Sequence, residues 1–214
     1  MDDATPPGTD RSEHTADEHG GRADAASDEN SDERTGTADS AGGFGTVEAI
    51  FLAPEDSAPM ESRESVDAVE GGLRGDRYLT GSGYYSPYDV CQVTLIAAEG
   101  IETIRAEAGI DLTDGRHRRN LVVRGGDLRD LLDATFRVGG ATLRGTRPRP
   151  PCVHVERVAD EDGVARALGD GRGGICADVL EAGEISVGDG IEIVESDPRS
   201  VGRQIAERLG FGGE

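Results

Sequence analysis

A mainly β fold, a small barrel-like closed sheet with a few short helices (α+β overall), is what this 214-residue sequence predicts. Three observations carry the expectation. The apolar residues fall in many short runs separated by turn-forming residues, the pattern of barrels and sandwiches. Two glycine-centred turns, Gly139-Gly140 and Gly188-Asp189-Gly190, each join a pair of strand-like runs, the short-range signal of a hairpin. Helical spacing is rare, and longest in Ala97–Ala108. No repeat of solenoid or propeller period is present.

In chain order, Gly45–Ala53 alternates partly and stops at Pro54, as a strand should. Residues 55–70 form a polar loop containing Pro59 and lead into Val66–Val69. Gly71-Gly72-Leu73-Arg74-Gly75 requires a tight turn or a close backbone approach. Residues 79–89 read as another loop, whose Tyr84, Tyr85 and Tyr88 are expected to anchor it by packing, with stacking on a ligand as the alternative. Val90–Ile96 is a short buried strand containing Cys91, and Ala97–Ala108 is a helix through Ile101 and Ile104 with Gly109 as its cap. Asn120–Val123 is a strand, and Asp127 caps a short helix through Leu128, Leu131 and Leu132. Thr135–Val138 and Ala141–Arg144 flank the first glycine turn. Cys152–Glu156 reads as a strand with Val153 and Val155 on one face and Cys152 and His154 on the other. Val164–Leu168 makes one or two helical turns. Ile185–Val187 and Ile191–Val194 flank the second glycine turn, and Val201, Ile205 and Leu209 suggest a short terminal helix.

The chain carries 22 basic and 43 acidic residues, a net charge of −21, and every basic residue is Arg. The first 43 residues hold twelve acids, three Arg and no Val, Ile, Leu, Phe, Tyr or Trp. Such a segment cannot bury enough apolar surface to offset its ordering entropy. Residues 1–43 are therefore expected to be a disordered acidic tail, 44–196 the barrel domain, and 197–214 a short C-terminal helix or tail. Without the tail, 43 − 12 = 31 acids face 22 − 3 = 19 Arg, a net of −12. Acid excess without Lys predicts a halophilic protein from a high-salt, haloarchaeal-type cytoplasm, where the Debye length falls to ~3 Å at 1 M salt; the alternative is an acidic mesophilic protein from a GC-rich genome. No run has the length or apolarity of a signal peptide or membrane span, so a cytoplasmic protein without a membrane partner is expected. Lacking Lys, the chain forms no pyridoxal-phosphate Schiff base. Its net charge argues against nucleic-acid binding. Three cysteines, an odd and sparse set, argue against a disulfide framework and suit a reducing compartment.

Residues 116–149 run against this acidity, with nine Arg against three Asp, a local net of 9 − 3 = +6. Guanidinium forks match phosphate and carboxylate geometry, so the island suggests an anion site. It ends in Pro148-Arg149-Pro150-Pro151-Cys152, which delivers a thiol at the end of a stiff segment. Arg147, Arg149 and His154 would favour its thiolate, making Cys152 a nucleophile, a persulfide carrier or a metal ligand; inert packing is the alternative. Asn120 could contact a ligand or simply start its strand. Gly169-Asp170-Gly171-Arg172-Gly173-Gly174 fits the dinucleotide fingerprint, but it follows a helix and precedes a strand, the reverse of that context. It is read as a loop bringing Arg172 toward the anion. Cys91 is read as core, and Cys176 as facing either site or core. A zinc site from Cys152, His154, Cys176 and His117 has no supporting ligand spacing.

Several segments occur together in an order that resembles the MOSC domain, named for the C-terminus of molybdenum-cofactor sulfurases. They are Gly75-Asp76-Arg77-Tyr78, Gln92–Ile96, Arg118–Val123, Phe136–Gly139, Pro151-Cys152, Gly173-Gly174 with Ala177–Leu180, and Ile185–Asp189. The resemblance implies a β-barrel-like fold with an essential cysteine, matched by Cys152. That cysteine would carry sulfur as a persulfide or ligate molybdenum in the molybdenum cofactor (molybdopterin). Arg118 and Asn120 match the family's Arg-x-Asn motif, and Asp76-Arg77 its Asp-Arg pair. These four, with Arg147, Arg149 and Arg172, are the expected cofactor-binding residues. The implied activity is reduction of small N-hydroxylated compounds, with electrons from a separate donor protein. The alternatives are a persulfide carrier served by a sulfur donor in metal–sulfur cofactor maturation, and a non-catalytic binding module. The reductases of this family carry a further barrel upstream and stand-alone relatives often a helical C-terminal extension, so a shallower site is expected here.

Overall fold

The computed structural model describes residues 43–83 and 91–196. The expectations for the acidic tail before Gly43, for Tyr84, Tyr85 and Tyr88, and for the terminal helix lie outside the described residues.

Eleven strands are present among the described residues. They are β1 (Gly45–Leu52), β2 (Glu61–Arg63), β3 (Ser65–Val69), β4 (Gly72–Leu73), β5 (Val93–Ala97), β6 (Leu121–Gly125), β7 (Ala134–Val138), β8 (Ala141–Pro148), β9 (Ile175–Glu181), β10 (Gly183–Ser186) and β11 (Gly190–Ser196). Seven close into a barrel in the order β1-β6-β5-β9-β8-β7-β11, with β11 returning to β1 and β2 continuing from the far end of β1. The closing seam is short: Gly45 faces Ile191 and Thr46 faces Gly190. β10, β3 and β4 make a small second sheet.

Every barrel pairing is antiparallel except β5–β6. A parallel neighbour needs a crossover, and α1 (Ala98–Ala108) supplies it. α1 stops where Gly109 takes a left-handed conformation and its N–H bonds the Arg105 carbonyl. The predicted Asp127 cap is also present, its carboxylate accepting from the Arg129 N–H at the start of a 3-10 turn, Leu128–Leu131.

Strand periodicity divides the apolar residues between two cores. Ile50, Leu95, Leu121 and Val123 point into the barrel with Phe136, Leu143 and Ile175. Their neighbours Phe51, Ile96 and Val122 point outward and pack against Ile101, Ile104, Val155, Val164 and Leu168. The latter residues come from α1 and from α2 (Val153–Ala159) and α3 (Val164–Ala167), or lie just beyond α3. β5 is therefore apolar on both faces, as a strand covered by helices must be.

Three local expectations give way. Residues 153–159 form α2, not a strand: Val155 and Ala159, one helical turn apart, are its buried residues, and Val153 points into solvent. The turn at Gly188-Asp189-Gly190 does not join partners, since β10 pairs with β3 while β11 pairs with β7 and β1. Cys91 and Cys176 form a disulfide with Cα atoms 5.4 Å apart. The cysteines are therefore a pair plus Cys152, and the count no longer speaks for a reducing compartment. Among the described residues no helix is long and apolar enough to cross a membrane.

Candidate functional site

A pocket lies where several chain segments meet. Its wall contains Asp56, Arg77, Tyr78, Arg118, Arg119, Arg149, Pro150, Cys152, His154 and Val155. Its cavity is small, about 30 Å³. A wider, open trough of about 520 Å³, lined by Pro54, Glu55, Asp56, Ser57, Thr80 and Ser82, shares Asp56 with it.

The foundation is a buried polar cross-link. Asn120 uses its full hydrogen-bonding capacity inside the protein. Its Oδ1 accepts from Thr94 N (3.1 Å) and Thr94 Oγ1 (2.7 Å), and its Nδ2 donates to Phe51 O (3.1 Å) and Asp76 Oδ2 (3.0 Å). Asp76 also accepts from the backbone N–H groups of Ala53 and Tyr78 and from Arg77 Nη1 at 3.1 Å. Both side chains are sealed from solvent. Asn120 and Asp76 therefore act from beneath the pocket, where they hold Arg77 and the neighbouring backbone in place.

Above them lie four guanidiniums: Arg77 and Arg119 at 2 % exposure, Arg118 and Arg149 at 7 %. Arg77 donates to Asp76, Met60 Sδ and the Arg118 carbonyl, with its guanidinium 4.7 Å from the centre of the Tyr78 ring. Arg118 adopts a left-handed backbone (φ 65°) that costs a non-glycine residue roughly 1–2 kcal/mol. From there it clamps the carbonyls of Asp56 and Ala58. Arg119 donates to the carbonyls of Gly173 (2.7 Å), His117 (2.8 Å) and Arg149 (3.5 Å). Arg149 donates to the Tyr78 hydroxyl at 3.1 Å.

One fully buried carboxylate, Asp76, stands against these four cations. Burial and then the neighbouring Arg77 pull Arg118 down to about 10. Burial and then Arg149 pull Arg119 down to about 9, with Tyr78 and Cys152 opposing. Arg118 and Arg119 therefore remain charged near neutrality, and an anion would relieve the repulsion within the cluster.

The thiol arrives as the sequence suggests, by a different local route. Cys152 is free, partly exposed, and is the residue preceding the first turn of α2. His154 follows within that turn, its Nε2 3.0 Å from Asp56 Oδ2, close enough for an ion pair although not aligned as a hydrogen bond. Two glycines let the walls close. A Cβ on Gly173 would lie 2.3 Å from the Arg149 carbonyl, and one on Gly174, at φ +85°, 1.9 Å from the Leu95 carbonyl. Here the Gly-rich loop serves backbone approach.

Of the expected site residues, Cys152, Arg77, Arg118 and Arg149 share the pocket wall. Arg147 does not: it sits on β8 opposite Cys176. Arg172 does not either, since it binds Glu107 at 2.8 Å and approaches Asp170 at 3.6 Å. The Arg island divides in the same way, with Arg116, Arg124, Arg129 and Arg137 spent on surface carboxylates. The drawn zinc site dissolves, because Cys176 is in the disulfide and His117 is sealed beneath the surface. Among the described residues no cluster of His, Cys, Asp and Glu could hold a metal. Sequence reading missed Arg119, Tyr78 and Asp56. Arg119 had a signal in its place beside Arg118, but nothing local marks which arginine turns inward.

The model of the MOSC domain matches residues 85–192, half of the chain. The chain belongs to the MOSC domain family. Solved structures agree on the fold. This MOSC protein is 22 % identical to the YuaD protein of Bacillus subtilis, with a TM-score of 0.59 over 70 % of this chain and 94 % of that one. YiiM from Geobacillus stearothermophilus is 17 % identical, with a TM-score of 0.56 over 71 % of this chain and 75 % of its own. YiiM from Escherichia coli is 18 % identical, with a TM-score of 0.52 over 71 % of each. No curated protein matches.

Proposed function

We propose that this MOSC protein binds the molybdenum cofactor, with Arg77, Arg118, Arg119 and Arg149 holding its anionic end and Cys152 serving as a thiolate ligand to the metal. The observation that carries this reading is the surplus of buried guanidinium charge facing a free thiol in one pocket. The donor set fits: guanidiniums suit phosphate oxygens, and a thiolate suits a soft metal. The enclosed part is small, about 30 Å³, so most of a bound cofactor would lie in the adjoining trough of about 520 Å³. When bound, the cofactor would supply redox chemistry suited to small N-hydroxylated compounds, with electrons from a separate donor. Asn120 and Asp76 hold Arg77 in place, and Pro150 and Pro151 limit the freedom of Cys152. The acidic, Lys-free composition supports work in high salt.

Metal analysis of protein purified anaerobically in high salt tests the reading. Stoichiometric molybdenum or tungsten that disappears in Cys152→Ser supports it. A mass gain of one sulfur on Cys152 without metal points instead to the persulfide carrier. Neither metal nor sulfur would leave a binding module.

A further inference from the structure

The disulfide between Cys91 and Cys176 lies outside the pocket wall, yet both of its ends are tied to residues that build that wall. Cys176 is the second residue of β9, and the two glycines before that strand are pocket anchors. The Gly173 carbonyl accepts from Arg119 Nε at 2.7 Å, and the Gly174 carbonyl accepts the Arg149 backbone N–H at 2.8 Å. On the other side, Cys91 stands two residues before β5, whose Thr94 faces Cys176 across the strand pairing. Thr94 holds Asn120 through two hydrogen bonds, Asn120 holds Asp76, and Asp76 accepts from Arg77. Arg77 in turn donates to the Arg118 carbonyl at 3.1 Å. One covalent bond therefore joins the strand that orients Arg119 and Arg149 to the strand that orients Arg77 and Arg118.

Both sulfurs are packed, with Cys176 fully buried and Cys91 at 6 % exposure. Reduction replaces the bond by two thiols, which cannot remain at bonding distance, and a close-packed interior does not absorb the added volume without movement. One side has to yield. If the stretch leading into β5 moves, it takes Thr94 with it; if the start of β9 moves, it takes Gly173 and Gly174. Either displacement reaches a guanidinium anchor.

We propose that the Cys91–Cys176 disulfide is a redox-sensitive control on the anion pocket: bonded, it keeps the four guanidiniums in binding order, and reduced, it lets them part, so that anion affinity falls. This rests on the anion-binding reading above. The reductant is a dithiol. Its thiolate attacks the sulfur of Cys91, the less buried of the pair and outside the strands, and Cys176 leaves. The second thiol of the reductant then resolves the mixed disulfide. Two electrons and two protons pass to the cysteines, the S–S bond gives way to two S–H bonds, and the dithiol departs as its own disulfide. Cys152, already a free thiol, is unchanged.

Calorimetric titration of the full-length protein with sulfate, before and after dithiothreitol, tests the coupling. Thiol counting should find one free thiol before treatment and three after, and circular dichroism reports whether both forms are folded. Reduced protein is expected to bind sulfate about tenfold more weakly, within the usual range for coupled sites. Reciprocity then requires saturating sulfate to make the disulfide harder to reduce at equilibrium by the same factor, a shift that a staple serving only the overall fold would not produce. The double variant Cys91→Ser/Cys176→Ser should bind like reduced wild type and ignore dithiothreitol. Equal sulfate affinity in the two forms, a dithiothreitol response that survives in the double variant, or three free thiols before treatment overturns the proposal while leaving the anion pocket intact. Unfolding of the reduced protein or of the double variant overturns it too, since the bond then holds the fold and not the pocket. Folded, untreated protein that binds no sulfate overturns the anion reading itself.

Discussion

His117 makes acid stability a sharp test of how the pocket is built. Its ring is fully buried, Nδ1 accepts the Arg119 N–H at 2.9 Å, and it meets Phe51 edge-on with centroids 5.5 Å apart. Burial first, then Arg119, Arg118 and Arg77, lower it from 6.5 to about 3. The folded ring therefore stays neutral over a range in which the unfolded one binds a proton. The unfolded state holds more protons there, so stability is complete above pH 6.5 and falls as pH drops toward 3. At ~1.4 kcal/mol per tenfold change, the whole window is worth about 4–5 kcal/mol, of which about 3 kcal/mol is gone by pH 4. Urea unfolding at pH 7, 5 and 4 measures it, with His117→Asn as the comparison, because the Asn carbonyl can still accept from Arg119. The variant should be less stable at pH 7 but lose about 3 kcal/mol less on acidification. Parallel pH curves for the two proteins would refute the reasoning.

Three further outcomes are expected. Asn120→Ala removes four buried hydrogen bonds and should cost about 4–5 kcal/mol in denaturant unfolding at roughly 1 kcal/mol each plus the orphaned groups; a loss below 1 kcal/mol would mean that the cross-link is dispensable. Cys176→Ser opens a loop spanning 85 residues and should cost about 4–5 kcal/mol by chain entropy, with reductant bringing wild type to the same midpoint. Gly174→Ala places a methyl 1.9 Å from the Leu95 carbonyl at a positive φ; about 3 kcal/mol or more should be lost, and a melting temperature like that of wild type would contradict the packing.

Much of the fold was legible because barrel strands leave a local signature. Turn glycines, the Asp127 cap and the Gly109 stop are decided by residues within one turn of where they act. Cys152–Glu156 misled because alternation over only five residues fits either period. Extending the reading to Ala159 brings out the four-residue spacing from Val155 that marks a helix. The strands flanking Gly188-Asp189-Gly190 separate because their partners lie elsewhere in the chain, which no local pattern records. Site reading followed the same rule. Cys152 stood out chemically and Arg118 by its motif, while the inward turn of Arg119 and the outward turn of Arg172 depend on Gly173 and Glu107, both more than fifty residues away. Cys91 and Cys176 likewise meet only because β5 and β9 are neighbours.

The two-residue seam between β1 and β11 sets the order in which the molecule can be completed. During synthesis β1 emerges early, and its seam partner is the last of the eleven described strands to be made. Until then the margins of β1 and β7 present unpaired backbone groups, a standing invitation to pair with other chains. Ring closure across nearly the full domain is also a slow, non-local event, so a nascent chain halted before Gly190 would be an open sheet with its sticky borders exposed.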